Sequence, residues 1–189
     1  MKTFKLFLFV LLCPLLIVSQ QGGMDDYYNS VNWNQSSAAL KSTLNTLIST
    51  GHNPLTYSSA SEDTWDVLQI SDLISGTDNV LLMYGYDDSD GDSSTDRTRS
   101  KNDMATSGCT GLWNREHVWP KSHGDFDAGD PFEVPLYTDA HNLKPVDHSM
   151  NTLRGEKDFE SGGDVAFNGS VETTCFTTSS TFEPRDEVK

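Results

Sequence analysis

Basic residues are scarce in this 189-residue chain: 13 Lys and Arg stand against 28 Asp and Glu, a formal net charge of −15. Such a surface favours solubility and opposes loose attraction to polyanions. A nucleic-acid substrate would need help close at hand, from a bound cation or a few placed arginines and lysines. Cysteine is scarce too, with three in the sequence. The histidines at 117, 123, 141 and 148 lack the close paired spacing of a structural zinc site. HExxH and GxSxG are absent, which removes the zinc-protease and serine-hydrolase signatures, and the cysteines carry no papain-like pattern. No internal repeat and no linker divides the chain.

Only one hydrophobic run is long. The chain opens MKTFKLFLFVLLCPLLIVSQ, where Lys2 and Lys5 precede an apolar stretch over 6–18 that Pro14 interrupts. This is the layout of a secretory signal, and the run is short for a membrane span. The expectation is export, removal of residues 1–20 as a signal peptide, and no stable membrane association afterwards. Without Lys2 and Lys5 the 13 basic residues become 11 against 28 acidic ones, a net charge of −17. In an oxidising compartment Cys109 and Cys175 are a disulfide candidate closing a long loop, worth about 4 kcal/mol in the chain-entropy model. The alternative is two separate buried thiols.

Residues 36–51, SSAALKSTLNTLISTG, read as a helix capped by Ser36 or Ser37, with Leu40, Leu44, Leu47 and Ile48 on one face and Gly51 as its stop. Residues 64–74 fit a helix or a strand. NVLLMYGY, 79–86, has the length and apolar content of a buried strand. The acidic, Ser-rich stretch 87–103 places its glycine at the fourth position from Asp88, where an EF-hand loop needs it at the sixth. A solvated surface loop is favoured there over a calcium site. Arg97 and Arg99 fit internal ion pairs with that loop better than contact with nucleic acid. Residues 113–119 enter and leave a short strand, whose flanking Trp113 and Trp119 suit a core better than stacking on bases. Residues 121–140, rich in Gly, Pro and Asp, read as a long loop. A brief strand over 140–145 stops at Pro145, and a helix over 146–159 begins near Asp147 or Ser149 and is weakened by Gly155. The remainder reads as strand and loop, with a helix beginning in EPRDEVK.

The sequence NREHVWP, 114–120, sets a carboxylate beside an imidazole. Neighbours in a regular strand point to opposite faces, so both serve one reaction only where the backbone ends or bulges, and an irregular backbone is expected. On the following helix Asn151 and Arg154 are three apart and share a face. Glu116, His117, Asn142, Asn151 and Arg154 can therefore converge in one polar layer. A carboxylate and a carboxamide are hard oxygen ligands that suit Mg²⁺, with Mn²⁺ or Ca²⁺ as alternatives and water in the other positions. A neutral histidine beside such a cation points to phosphodiester hydrolysis. The imidazole takes a proton from water, the cation withdraws charge, and an arginine offers its fork to the phosphate. Each residue also has a duller reading. Glu116 pairs with Arg115 or a lysine, Asn151 caps its own helix, and His141 supports the site from behind or is a satisfied core histidine. The rival function is a secreted acidic module that binds Ca²⁺ and adheres to a partner without catalysis. The acidic loop supports it, but the Glu–His and Asn–Arg pairs do not.

In their order, NREHVWP, DAHNLKP and MNTLRG, together with the N-terminal helix, YGYDD and TDRTR, resemble the bacterial endonuclease I family. These are secreted or periplasmic nucleases of the His-Me finger (ββα-metal) superfamily, and the resemblance covers nearly all of the chain beyond the signal. It implies an α+β fold, a mixed domain built around a ββα-metal finger with an N-terminal helix and long loops. Residues 21–189 would form the catalytic domain, with its C-terminal part expected to be missing, because family chains continue past a segment like FEPRDEVK. The resemblance implies a metal-dependent endonuclease that cuts DNA and often RNA with little sequence preference and leaves 5′-phosphate ends; a monomer is the expectation for the chain itself. It makes His117 the general base, Glu116 and Asn151 the cation ligands, and Arg154 the arginine that stabilises the phosphate. Asn142 would orient the loop or His117, with Arg115 and His141 in support.

Overall fold

In the computed structural model, residues 24–189 are described apart from 107, 125 and 127–134. The expected signal over 1–20 and the middle of the expected 121–140 loop lie outside the described residues. The chain divides into two compact units, one ending at His52 and the other spanning Asn53–Lys189.

The first unit carries α1 (Met24–Tyr27) and α2 (Ser37–Ser49). Ser36 caps α2 as its sequence predicts, its side chain accepting from Ala39 N. The apolar stripe is present, but no residue of α2 is buried and Ile48 is 53% exposed.

In the second unit, α3 (Thr64–Ser71) settles the ambiguity of its segment through a capping box. Asp63 accepts from Trp65 N at 2.7 Å while Asp66 accepts from Asp63 N at 2.9 Å. The strand expected over 79–86 is shorter: β1 (Asn79–Leu81) pairs antiparallel with β2 (Thr98–Ser100) and then leaves the ladder. Leu82, Tyr84 and Tyr86 stay buried beyond it. Gly85 lets the returning chain press close, since a Cβ there would lie 2.3 Å from Asp96 O and 2.4 Å from Arg97 Cα.

Then follow β3 (Trp113–His117), α4 (Lys121–Gly124), a 3-10 turn (Pro135–Tyr137), β4 (Leu143–Asp147) and α5 (His148–Arg154). β3 and β4 pair antiparallel, and β4 runs directly into α5. Pro145 does not stop β4, contrary to the sequence reading. Val118 N bonds to Asn142 O at 2.9 Å, so the bonded pairs alternate through 116 and 114. Pro145, opposite Arg115, therefore owes β3 no donor. The helix is shorter than 146–159. Asp147 Oδ1 caps it from Ser149 N at 2.9 Å and Met150 N at 3.0 Å, and Gly155, at φ 59°, ends it. The residues read as its last turn instead supply β5 (Asp158–Phe159).

With β6 (Asp164–Asn168), β7 (Val171–Thr177) and β8 (Thr181–Glu183), β5 completes a sheet ordered β5-β8-β7-β6. The β5–β8 pair is parallel and the others are antiparallel. A 3-10 turn (Asp186–Val188) stands where a helix start was expected. One core cluster joins Leu68, Val80, Leu82, Trp113 and Leu143. The other sets Val146 and Met150 against Tyr84, Tyr86, Ala166, Cys175 and Phe182. A fully buried side chain such as Met150 contributes about 1.5–3 kcal/mol to holding α5 on the sheet.

The disulfide expected between Cys109 and Cys175 is corrected: both are free. Cys175 is wholly buried in the second cluster and Cys109 is exposed, so the two thiols occupy environments that no S–S bond bridges. The acidic loop consumes its carboxylates in turns and pairs. Asp87, Asp90 and Asp92 accept backbone N–H groups, and Asp88 pairs with Arg97. Arg99 turns inward to the buried Asp147 at 3.3 Å. Among the described residues no group of three or more His, Cys, Asp or Glu side chains is placed to hold a metal ion. No described helix is long and apolar enough to cross a membrane.

Candidate active site

The end of β3 and the end of α5 face each other, and the polar groups meet there. Glu116 is 2% exposed, and its Oε1 accepts from the Tyr84 hydroxyl and from Arg154 Nη1, each at 2.8 Å. Burial outweighs these partners and pushes the Glu116 carboxyl up to about 7. Arg154, the last residue of α5, spends its other donors on the chain. Nη1 and Nη2 reach the carbonyls of His117 and Val118, both at 3.2 Å, and Nε reaches Lys157 O at 3.1 Å. Its guanidinium carbon lies 4.5 Å from the centre of the Phe159 ring. The sequence reading put Arg154 against the phosphate; in the fold it clasps the Glu116 carboxylate and the strand end together.

His117 Nε2 lies 2.9 Å from Tyr137 O. A carbonyl only accepts, so Nε2 carries the hydrogen and Nδ1 keeps the lone pair. The ring stacks on Tyr57 at 5.8 Å and 16°, with Tyr137 at 4.9 Å and Phe126 at 6.0 Å. Burial among these rings lowers the His117 pKa below its ordinary value and favours the neutral base. Asn151, half-buried on α5, donates from Nδ2 to Arg115 O at 3.4 Å, which turns its carboxamide oxygen the other way. A pocket of about 160 Å³ is walled by Glu116, His117, Pro120, Lys121, Asn151 and Arg154.

The irregular backbone expected at Glu116 and His117 does not occur. The register runs unshifted from Trp113↔Asp147 to His117↔Leu143. Both side chains line one pocket because the strand ends at His117 and the chain turns through Pro120 around the rim.

Asn142 clamps that turn: Oδ1 accepts from Trp119 N at 2.8 Å and Nδ2 donates to Trp119 O at 3.2 Å. Arg115 does not pair with Glu116. Its guanidinium lies between the rings of Tyr57 and Trp65, at 3.5 and 3.9 Å, and donates to Tyr57 O, Thr64 Oγ1 and Ser58 Oγ. It fastens β3 to the segment before α3. His141 neither supports the site nor enters the core, because it sits on the turn before β4 with its side chain 98% exposed, beside Asp139 at 3.0 Å.

Sequence reasoning missed Tyr84, Tyr57, Tyr137 and Phe126. Tyr84 left a trace: it continues the buried alternation of Val80 and Leu82, and a buried phenol demands a partner. The other three lie in aperiodic stretches with no such trace.

The donor set fits a hard divalent cation. Two acidic residues, Glu116 and Glu156, and the Asn151 carboxamide line one small pocket that leaves room for several waters, which Mg²⁺ retains. The second carboxylate oxygen of Glu116, Oε2, is the one not engaged by Tyr84 or Arg154.

The sequence matches the Endonuclease I family over residues 36–189. It is 35% identical over 175 residues to an extracellular ribonuclease of Bacillus amyloliquefaciens, covering 92% of this chain and 52% of that protein. It is 37% identical over 166 residues to an extracellular ribonuclease of Bacillus subtilis, covering 87% of this chain and 49% of that one. The chain thus spans about half the length of the curated relatives it matches. No solved structure matches it.

Proposed function

The chain belongs to the endonuclease I family, and on that premise we propose that it is a secreted, divalent-cation-dependent endonuclease that hydrolyses phosphodiester bonds in RNA and DNA. The observation that carries the reading is His117. It is a neutral imidazole with one nitrogen held by Tyr137 O and the other left basic, in the same pocket as Glu116 and Asn151. The relatives' name, extracellular ribonuclease, favours RNA as a substrate and export as the destination.

The unit β3–β4–α5 is read as the ββα-metal finger. His117 Nδ1 takes the proton of the attacking water, and the Tyr137 carbonyl steadies the imidazolium that results. Glu116 Oε2 and the Asn151 carboxamide oxygen would hold the cation, Mg²⁺ being the best match to the donors. When bound, that cation supplies charge withdrawal from the phosphate and its leaving oxygen. Arg154 keeps Glu116 aimed at the pocket and adds positive charge at its wall. Asn142 holds the chain after His117 so that the base stays in line. Attack on phosphorus with departure of the 3′ oxygen leaves 5′-phosphate ends.

The test is incubation of the purified chain with supercoiled plasmid and with RNA, in Mg²⁺ or in EDTA, beside His117→Ala. Cleavage should require the cation and fall by about 10²–10⁴-fold in the variant, the usual contribution of a general base. A folded wild-type chain that cuts neither substrate would end this reading.

A further inference from the structure

The two tryptophans flanking the catalytic strand have opposite fates. Trp113 is wholly buried, whereas Trp119, two residues past His117, is 58% exposed. That exposed indole does not sit on a loose segment. Both backbone groups of Trp119 are clamped by the Asn142 carboxamide, and the next residue, Pro120, is buried on the wall of the pocket. Gly124 makes room for it: a Cβ there would stand 3.1 Å from Trp119 Nε1 and 2.4 Å from the Phe126 ring. Phe126 in turn lies 6.0 Å from the His117 ring, and His123 meets the indole edge-on at 6.1 Å and 80°. The indole is thus a braced aromatic surface, tied to the base through Gly124 and Phe126, with a large part of its area facing solvent.

We infer that Trp119 is a stacking platform for an unpaired nucleobase adjoining the scissile phosphate, and that it biases the chain toward single-stranded over duplex nucleic acid. The inference rests on the nuclease reading above. Charge makes such a platform useful. At a net charge of −15 the chain gains little from long-range attraction to phosphates, so short-range contact has to supply substrate affinity. Base stacking is short-ranged and tolerant of sequence, because every base has a π-face. A base inside a duplex is already stacked on both sides and offers no free face to the indole.

The experiment compares wild type, Trp119→Leu and Trp119→Phe on a single-stranded oligonucleotide and on the same sequence as a duplex, in Mg²⁺. Trp119→Leu should raise KM for the single strand about tenfold, in the range of one lost base–aromatic stack, and so narrow the ratio of single-strand to duplex kcat/KM by about the same factor. Trp119→Phe should recover most of the loss, and equal melting temperatures would show that all three fold alike. A second readout titrates oligothymidylate into His117→Ala with and without Trp119→Leu. Tryptophan emission should be quenched only where Trp119 is present. If the wild type cuts the single strand while Trp119→Leu alters neither KM nor quenching, the platform is overturned and the nuclease reading stands. If quenching depends on Trp119 but the wild type cuts nothing, the nuclease reading fails and takes the platform beside a scissile phosphate with it, leaving a base-binding surface without catalysis.

Discussion

Arg154 Nη1 and Glu116 Oε1 meet at 2.8 Å with both side chains about 2–3% exposed, which locks the last turn of α5 to the end of β3. The carboxylate proposed to hold the cation is therefore positioned by the fold before any ligand arrives. Removing the arginine strands a buried charge. Arg154→Ala should cost about 3–5 kcal/mol of stability, the usual result of breaking a buried pair from one side. Urea denaturation followed by tryptophan fluorescence measures it, and a wild-type midpoint for Arg154→Ala would show the pair to be dispensable.

The Tyr84 hydroxyl donates to the same Oε1. Tyr84→Phe keeps the buried ring and removes one hydrogen bond to a charged group, a loss of about 1.5–3 kcal/mol. The carboxylate then loses part of its fixed orientation. The Mg²⁺ concentration for half-maximal cleavage should rise several-fold while maximal rate is largely kept, and a cation titration of both proteins checks this.

Glu116 should also set a pH dependence. Its folded-state pKa is raised to about 7 from 4.5 by burial. Between these values the folded chain keeps a proton that the unfolded chain has lost. The contribution to stability is full below about 4.5 and is lost as pH rises through about 7. Melting temperatures in EDTA should therefore fall more steeply over that window for wild type than for Glu116→Gln, which cannot titrate. Mg²⁺ competes with the proton, so cation affinity should weaken as pH drops below about 7. Equal slopes for the two proteins would refute the assignment.

Gly85→Ala should be among the most damaging single changes outside the pocket. The added methyl would meet backbone, at Asp96 O and Arg97 Cα, rather than a side chain that could swing away. A loss of about 3 kcal/mol, at the upper end of overpacking costs, is expected in a thermal melt. A neutral result would mean that the 82–86 segment and the returning chain can separate at little cost.

Cys109 and Cys175 remain thiols, so a reductant should leave the melting temperature unchanged. Cys109→Ser should be silent at its exposed site. Cys175→Ser should cost about 1–3 kcal/mol, because it places a hydroxyl in an apolar core. A drop in melting temperature on reduction would reinstate the disulfide.

What the sequence determined by itself was local. Ser36 and Asp147 announce their caps through oxygen chemistry that acts over three residues, and the sequence over 36–189 matches the family. Other features depended on partners distant in the chain. Pro145 stays inside β4 because the alternation of β3 leaves it no donor to supply, which no local rule about proline reveals. Glu116 and His117 share a pocket without any bulge because the strand ends where α5 arrives. Tyr84, 32 residues before Glu116, and Tyr137, 20 after His117, reach the site through packing alone. Arg154 was readable as a charge on a helix face; that it would be buried against Glu116 was decided only when α5 and β3 closed over it. Short-range hydrogen bonding is written residue by residue, whereas burial and its effects on charge belong to the assembled fold.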